Sequence, residues 1–311
     1  MRRVMIAAVL PALLLLALAP EASAQTSEQP PNTEIYLARL LHRGDSLVIS
    51  AAQNVTRRAG YDNQPSFLTD ATGFLYTAID STGQADIWRY EIRTRRRTRV
   101  TRTPESEYSP TMMPGSRRFS VVRVERDSTQ RLWSFALDGR DPQLLIETLA
   151  PVGYHAWLDS FRVAAFVLGA PATATEPATP STLHVLRRDG SEDDVRAQDI
   201  GRALQRIPAQ DWYSFVQHDS TKTPWIVAQP FDGGAVSRLV RIPVDDEFFA
   251  WAPDGTLLSA SGGTVLKWNG VSGDGSAWSP IATMAPLPVR NISRLAVSPD
   301  GRWLAFVAEP A

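Results

Sequence analysis

Past residue 30 the chain alternates short apolar segments with polar turns, and the pattern repeats. Its clearest copy covers residues 295–307, where an apolar strand runs into a tight turn at Pro299, Asp300 and Gly301 and a second apolar strand follows from Trp303. Similar text surrounds Pro253, Asp254 and Gly255, and again Pro114 with Gly115. Weaker copies surround Thr69 and Asp70, Asp159 and Ser160, and Pro208. The six turns fall at 69, 114, 159, 208, 253 and 299, in steps of 45, 45, 49, 45 and 46. A near-constant period in the mid-forties, built from short strands, is the length of one four-stranded propeller blade.

Most copies lead into an alternating or aromatic-rich segment: residues 86–90, 131–135, 182–186, 225–228 and 264–268. These predict third strands, half buried between blades. Polar hairpins then lead to edge-type fourth strands such as 98–101 and 143–146. The sixth copy stops after its second strand. Residues 34–39 match the third-strand pattern and 46–50 the fourth, so N-terminal strands are expected to complete the C-terminal blade. Such closure leaves no unpaired sheet in the ring. The predicted fold is all-β: a six-bladed β-propeller over residues 34–309.

The strand-turn-strand copies, above all Ser298-Pro299-Asp300-Gly301 and Ala252-Pro253-Asp254-Gly255, resemble the WD40-like repeats of TolB-type propellers. The resemblance covers essentially the whole chain after its N-terminal segment. It implies the fold and is compatible with several functions, since propellers of this kind bind proteins in one case and support peptidase domains in another. TolB itself is similar to a two-domain protein with an α/β domain ahead of the propeller, a domain not expected within the residues before 34.

Those first residues have another character. Arg2 and Arg3, an apolar run from Val4 to Ala19, and Ala22-Ser23-Ala24 form in order the charged, apolar and cleavage regions of a secretory signal peptide. The run contains Pro11 and is shorter than the roughly 20 apolar residues of a membrane span. Residues 1–24 are therefore read as a signal peptide cleaved near Ala24 and Gln25, residues 25–33 as a flexible N-terminus, and the mature protein as a periplasmic or secreted monomer without a membrane span. The sequence has no cysteine, which excludes disulfides, thiolate catalysis and a lipoprotein anchor. Stability then rests on an ordinary hydrophobic core. The net charge of −1 gives no reason to expect nucleic acid.

Motifs for chemistry are absent: there is no phosphate-cradling Gly-rich loop, no nucleophile elbow, no dinucleotide fingerprint and no His-Glu-x-x-His. The four histidines, His42, His155, His184 and His218, lack zinc spacing, and His184 is expected to be a packed or edge residue of an apolar strand. Arg93, Arg95, Arg96, Arg97, Arg99 and Arg102 fall in the outer hairpin of the first blade, lack interleaved aromatics, and read as a solvated face. The Pro/Ala/Thr tract 169–181 reads as a disordered surface insertion between strands.

In a propeller the innermost strands line a central channel, so residues four to seven places before each turn are expected at one mouth of it. They include Asp62, Asn63 and Gln64; Glu107 and Tyr108; Tyr154 and His155; Gly201 and Arg202; Asp246 and Glu247; and Ser293 and Arg294. Arginines can grip carboxylate or phosphate, acids can accept from amines or hydroxyls, and tyrosines can stack. Asp62, Asn63, Glu107, Tyr108, Tyr154, His155, Arg202, Glu247 and Arg294 are thus the expected ligand-binding set, with no metal and no cofactor. The alternative is that they satisfy one another through ion pairs across a wet channel. The function expected is binding of an envelope protein, a peptide or a small polar ligand. The enzymatic alternative is a calcium-dependent lactonase or esterase, with Asp62, Asn63, Glu107 and Glu247 as hard oxygen ligands, though arginines on the same ring oppose a cation.

Overall fold

The computed structural model describes residues 30–43, 46–243, 247–270, 277–287 and 289–310. The expected signal peptide and Asp246 lie outside the described residues. The chain opens with β1 (Glu34–Arg43), β2 (Ser46–Ile49) and β3 (Gln53–Asn54), and four blades of four antiparallel strands follow. Blade 1 holds β4 (Asp62–Phe67), β5 (Gly73–Ile79), β6 (Ala85–Glu91) and β7 (Arg96–Arg99). Blade 2 holds β8 (Ser106–Met112), β9 (Arg118–Val124), β10 (Gln130–Ala136) and β11 (Gln143–Ile146). Blade 3 holds β12 (Val152–Trp157), β13 (Arg162–Val167), β14 (Thr182–Arg187) and β15 (Asp194–Gln198), and blade 4 holds β16 (Ile200–Arg206), β17 (Trp212–His218), β18 (Pro224–Pro230) and β19 (Ser237–Arg241). Blade 5 is built the same way from β20 (Ala250–Trp251), β21 (Leu257–Ser261), β22 (Thr264–Trp268) and β23 (Trp278–Pro280).

The sixth blade is composite. After β24 (Ala282–Thr283), its inner strands β25 (Val289–Val297) and β26 (Trp303–Pro310) come from the end of the chain and its outer strands from the beginning. Ile35 pairs with Val307 and Leu37 with Ala305, while Leu40 pairs with Ile49 across the β1–β2 hairpin. β24 adds a short parallel pairing to β2. The chain thus forms the all-β six-bladed ring, closed by its N-terminal strands.

The apolar alternation along each strand feeds cores that lie between blades. Phe74 and Tyr76 of blade 1 pack with Ile35 and Val307 of blade 6, and Leu75 and Ile87 of blade 1 pack with Phe119 and Phe135 of blade 2. Four further clusters fill the remaining interfaces in the same way. All six turns expected from the repeat join the two inner strands of a blade; Gly301, at φ 70°, and Gly255, at φ 87°, donate back to Ser298 and Ala252. Only glycine takes such a left-handed φ without steric cost.

Two local expectations change. The tract 169–181 does join β13 to β14 on the surface, yet it folds back on itself: Thr179 donates to the Ala170 carbonyl at 2.9 Å and Thr173 to that of Glu176 at 2.8 Å. Backbone bonding between its arms replaces the disorder that its composition suggests. The fourth strand of blade 1 begins at Arg96, so Arg96 and Arg97 lie on an exposed edge strand, where charge discourages further strand pairing. Arg99 of that strand pairs with the buried Asp86 at 2.6 Å.

Candidate functional site

Five inner strands carry a register shift at the level of the channel: between Asn63 and Ser66, Tyr108 and Thr111, Val152 and Tyr154, Ile200 and Leu204, and Arg290 and Arg294. A bulge re-aims the side chains beyond it. Gln64 and Ser109 sit at these irregularities with positive φ, and Gln64 Oε1 accepts from both the Ser109 backbone N–H at 2.8 Å and Thr77 Oγ1 at 2.7 Å. That joins the inner strands of blades 1 and 2. Gln205 does the same between blades 4 and 5, through the Phe249 carbonyl and the Trp251 N–H.

The turn end of the channel opens into a cavity of about 500 Å³ lined by residues of all six blades. Tyr154, His155, Arg202 and Arg294 of the expected set line it, together with Gln64 and Phe248. Arg294 reaches across the ring from blade 6: its Nη2 donates to the Tyr154 hydroxyl of blade 3 at 3.1 Å, and its guanidinium lies 3.8 Å from the centre of the Phe248 ring. Arg202 is exposed to the cavity and forms no ion pair among the described residues. Tyr61, just ahead of β4, belongs to the same cluster. Burial drives its phenol up to about 12, against the pull of Arg294 and Arg202 and with Tyr154 and Tyr108 as neighbours.

The carboxylates go elsewhere. Asp62 is fully buried beside Arg58, whose Nε lies 3.1 and 3.0 Å from its two oxygens, and burial raises its carboxyl to about 6 in spite of that partner. Glu107 is also fully buried, 3.1 Å from Arg123, and accepts a hydrogen bond from Thr103. Burial raises its pKa, opposed by the threonines and the arginine. Asn63 Oδ1 accepts from the Gln64 N–H at 2.8 Å. Glu247 lies over Gly201, where a Cβ would come within 2.3 Å of Oε2, and its Oε1 meets His218 Nε2 at 2.6 Å. None of the described residues lining the cavity is an Asp or Glu. Among the described residues, the charged side chains lining the cavity are thus arginines, while the expected carboxylates Asp62, Glu107 and Glu247 lie outside the lining. A fixed count back from each turn assumes a regular strand, and the bulges break that assumption.

His155 lies in the cavity wall, its Nε2 2.6 Å from Ser120 Oγ, which also accepts from the Trp157 indole at 2.8 Å. Burial alone depresses its pKa to about 3, so it stays neutral. Ser120 is fully buried and out of reach of a substrate. The motif recurs two blades on, where the Trp251 indole donates to Ser214 at 2.8 Å. The paired tryptophans and serines are two periods apart in the sequence, a signal that could have marked both as wall residues. Phe248 and His218 carry no comparable mark. Among the described residues no three His, Asp or Glu side chains converge to hold a metal ion, and no helix is long and apolar enough to cross a membrane.

A closed six-bladed β-propeller with a turn-end cavity whose described charged lining residues are arginines is the class that fold and site define. Its fold is TolB-like. No model of a protein family matches the sequence, and no curated protein does. Among solved structures, a putative TolB from Agrobacterium tumefaciens is similar at a TM-score of 0.64 and 13% identity, over 89% of this chain and 98% of that one. TolB from Acinetobacter baumannii gives 0.55 and 12%, over 91% of this chain and 66% of that one. A gluconolactonase from Xanthomonas campestris, XC5397, gives 0.60 and 14%, over 92% and 99%. At such identities the likeness is one of fold.

Proposed function

We propose that the protein is an exported binding protein that recognises its ligand in the turn-end cavity of the propeller and performs no chemistry there. The observation that carries this reading is the cavity wall itself: six blades contribute to it, Arg202 and Arg294 bring fixed positive charge, and no described carboxylate answers them. Rigid concave sites with a few convergent polar groups are built for recognition. Export is supported by the order of Arg2, Arg3, the apolar run and Ala22-Ser23-Ala24.

The similarity of fold to a gluconolactonase makes a hydrolase the reading to beat. It asks for acid, base or metal-ligating oxygens in the channel. The four residues named for calcium are committed otherwise: Asp62 to Arg58, Glu107 to Arg123, Glu247 to His218, and Asn63 to the backbone. They do not fit a shared ion. Elemental analysis of the purified mature protein, with melts in calcium and in chelator, tests this. The expected result is the same midpoint in both; an ion held well below its working concentration would stabilise by about 3–4 kcal/mol. One calcium per chain, with lactone or ester turnover lost on substitution of Glu247, would put the hydrolase in its place.

A further inference from the structure

The cavity has two chemically distinct levels. At its inner level stand Arg202, Arg294 and the Tyr154 hydroxyl. Arg294 spends one N–H on a neutral phenol and lays its face on Phe248, an arrangement that leaves the rest of its planar fork for in-plane acceptors. Two guanidinium groups facing one cavity with no described counter-charge repel each other, and an anion placed between them removes that cost. The Ser109 hydroxyl, buried in the wall, makes no hydrogen bond among the described residues.

Nearer the turns the wall is mostly apolar, with Phe67, Met112, Trp157, Trp251 and Val297, and its charged member, Arg206, lies 3.9 Å from Asp211. The polar atoms of both tryptophans are already used, because Trp157 donates to Ser120 and Trp251 to Ser214, each at 2.8 Å. Trp157 is itself buried, so the ring surface open to a ligand is that of the half-buried Trp251, which favours apolar or aromatic groups. Cations and amines find no described carboxylate in the lining to receive them, and a sugar would set most of its hydroxyls against the apolar side chains of this outer wall.

Resting on the reading of this cavity as the binding site, we propose that its ligand is a small amphipathic organic anion. The carboxylate or phosphate head sits between Arg202 and Arg294, and the apolar body lies along Trp251, Met112 and Val297 toward the mouth.

Calorimetric titration of the mature protein with 3-phenylpropanoate, phenyl phosphate and the uncharged 3-phenylpropanamide tests it, with inorganic phosphate as the bare head. The expected result is binding of one or both organic anions at one per chain. The amide and inorganic phosphate should each bind at least about tenfold more weakly, as loss of a charged hydrogen bond or of apolar contact implies. Whichever organic anion binds more tightly identifies the head. Arg202→Ala should weaken that anion by about ten- to a hundredfold while leaving the melting midpoint in place, and Arg294→Gln should do the same. Equal affinity for anion and amide, or arginine variants that bind like wild type, would overturn the ligand class. So would the absence of any binding by the two organic anions. Uptake of the uncharged fluorophore N-phenyl-1-naphthylamine separates that failure from a failure of the site. Uptake blocked by Phe248→Arg leaves the cavity a binding site with another ligand, and no uptake at all removes the binding reading too.

Discussion

Glu107 and Arg123 are both buried, and each holds the other's charge inside the blade 1–blade 2 interface. Arg123 also stacks on Trp133, its guanidinium carbon 4.5 Å from the ring centre. Removing one member of such a pair leaves an uncompensated charge away from water. Glu107→Ala is therefore expected to cost about 3–5 kcal/mol of stability, measured by urea unfolding, and to leave ligand affinity unchanged in the protein that remains folded. A variant that unfolds like wild type but no longer binds would return Glu107 to the channel. Arg202 is the opposite case: it is exposed and unpaired among the described residues, so its removal should act on binding and hardly on stability. Tyr154, Arg202 and Arg294 were legible in the sequence because they stand at channel level in the repeat. The partners of Asp62 and Glu107 were not, since Arg58 precedes its strand and Arg123 lies on the next one, and neither falls at a repeating position.

Between elements, the joint of blades 4 and 5 holds a titratable latch. His218 ends β17, with Nε2 2.6 Å from Glu247 Oε1 and Nδ1 2.9 Å from the Asp199 carbonyl, while Lys222 pairs with the Asp199 carboxylate. Burial alone would lower the imidazole's pKa, but Glu247 and Asp199 together outweigh it and raise the pKa above 6.5. A histidine raised in the folded state contributes its full stabilisation below the unfolded value of 6.5 and loses it as pH climbs through the folded one. The melting midpoint of wild type should thus fall relative to that of His218→Asn as pH rises from about 6.5 through the raised folded-state value, and parallel curves would show that the pair contributes nothing. The strands themselves were readable from turn chemistry and period, including β1 and β2 as the outer half of the sixth blade. Strand edges and bulges were less so: β7 starts two residues earlier than its apolar alternation suggests, because the arginines that begin it carry no strand signal. The channel bulges depend on how neighbouring inner strands bond, as Gln64 does to Ser109, and that is a property of two blades rather than of either sequence.

At the scale of the whole molecule, the composite blade joins the two ends of the described chain, so the ring has no seam of unpaired strands and its axis is fixed by six interblade cores. A rigid ring keeps Arg294 in reach of Tyr154 on the opposite blade and holds the tryptophan walls at the turn end, a geometry set before any ligand arrives. The central claim is that this preformed, arginine-bearing cavity is where the protein does its work. Native mass spectrometry of the protein isolated from its own cells, beside the Arg202→Ala/Arg294→Gln double variant isolated the same way, tests it most directly. The expected result is one small acidic molecule per wild-type chain, released on denaturation and missing from the double variant. A wild-type protein that cannot be told from the double variant by what it carries would contradict the claim.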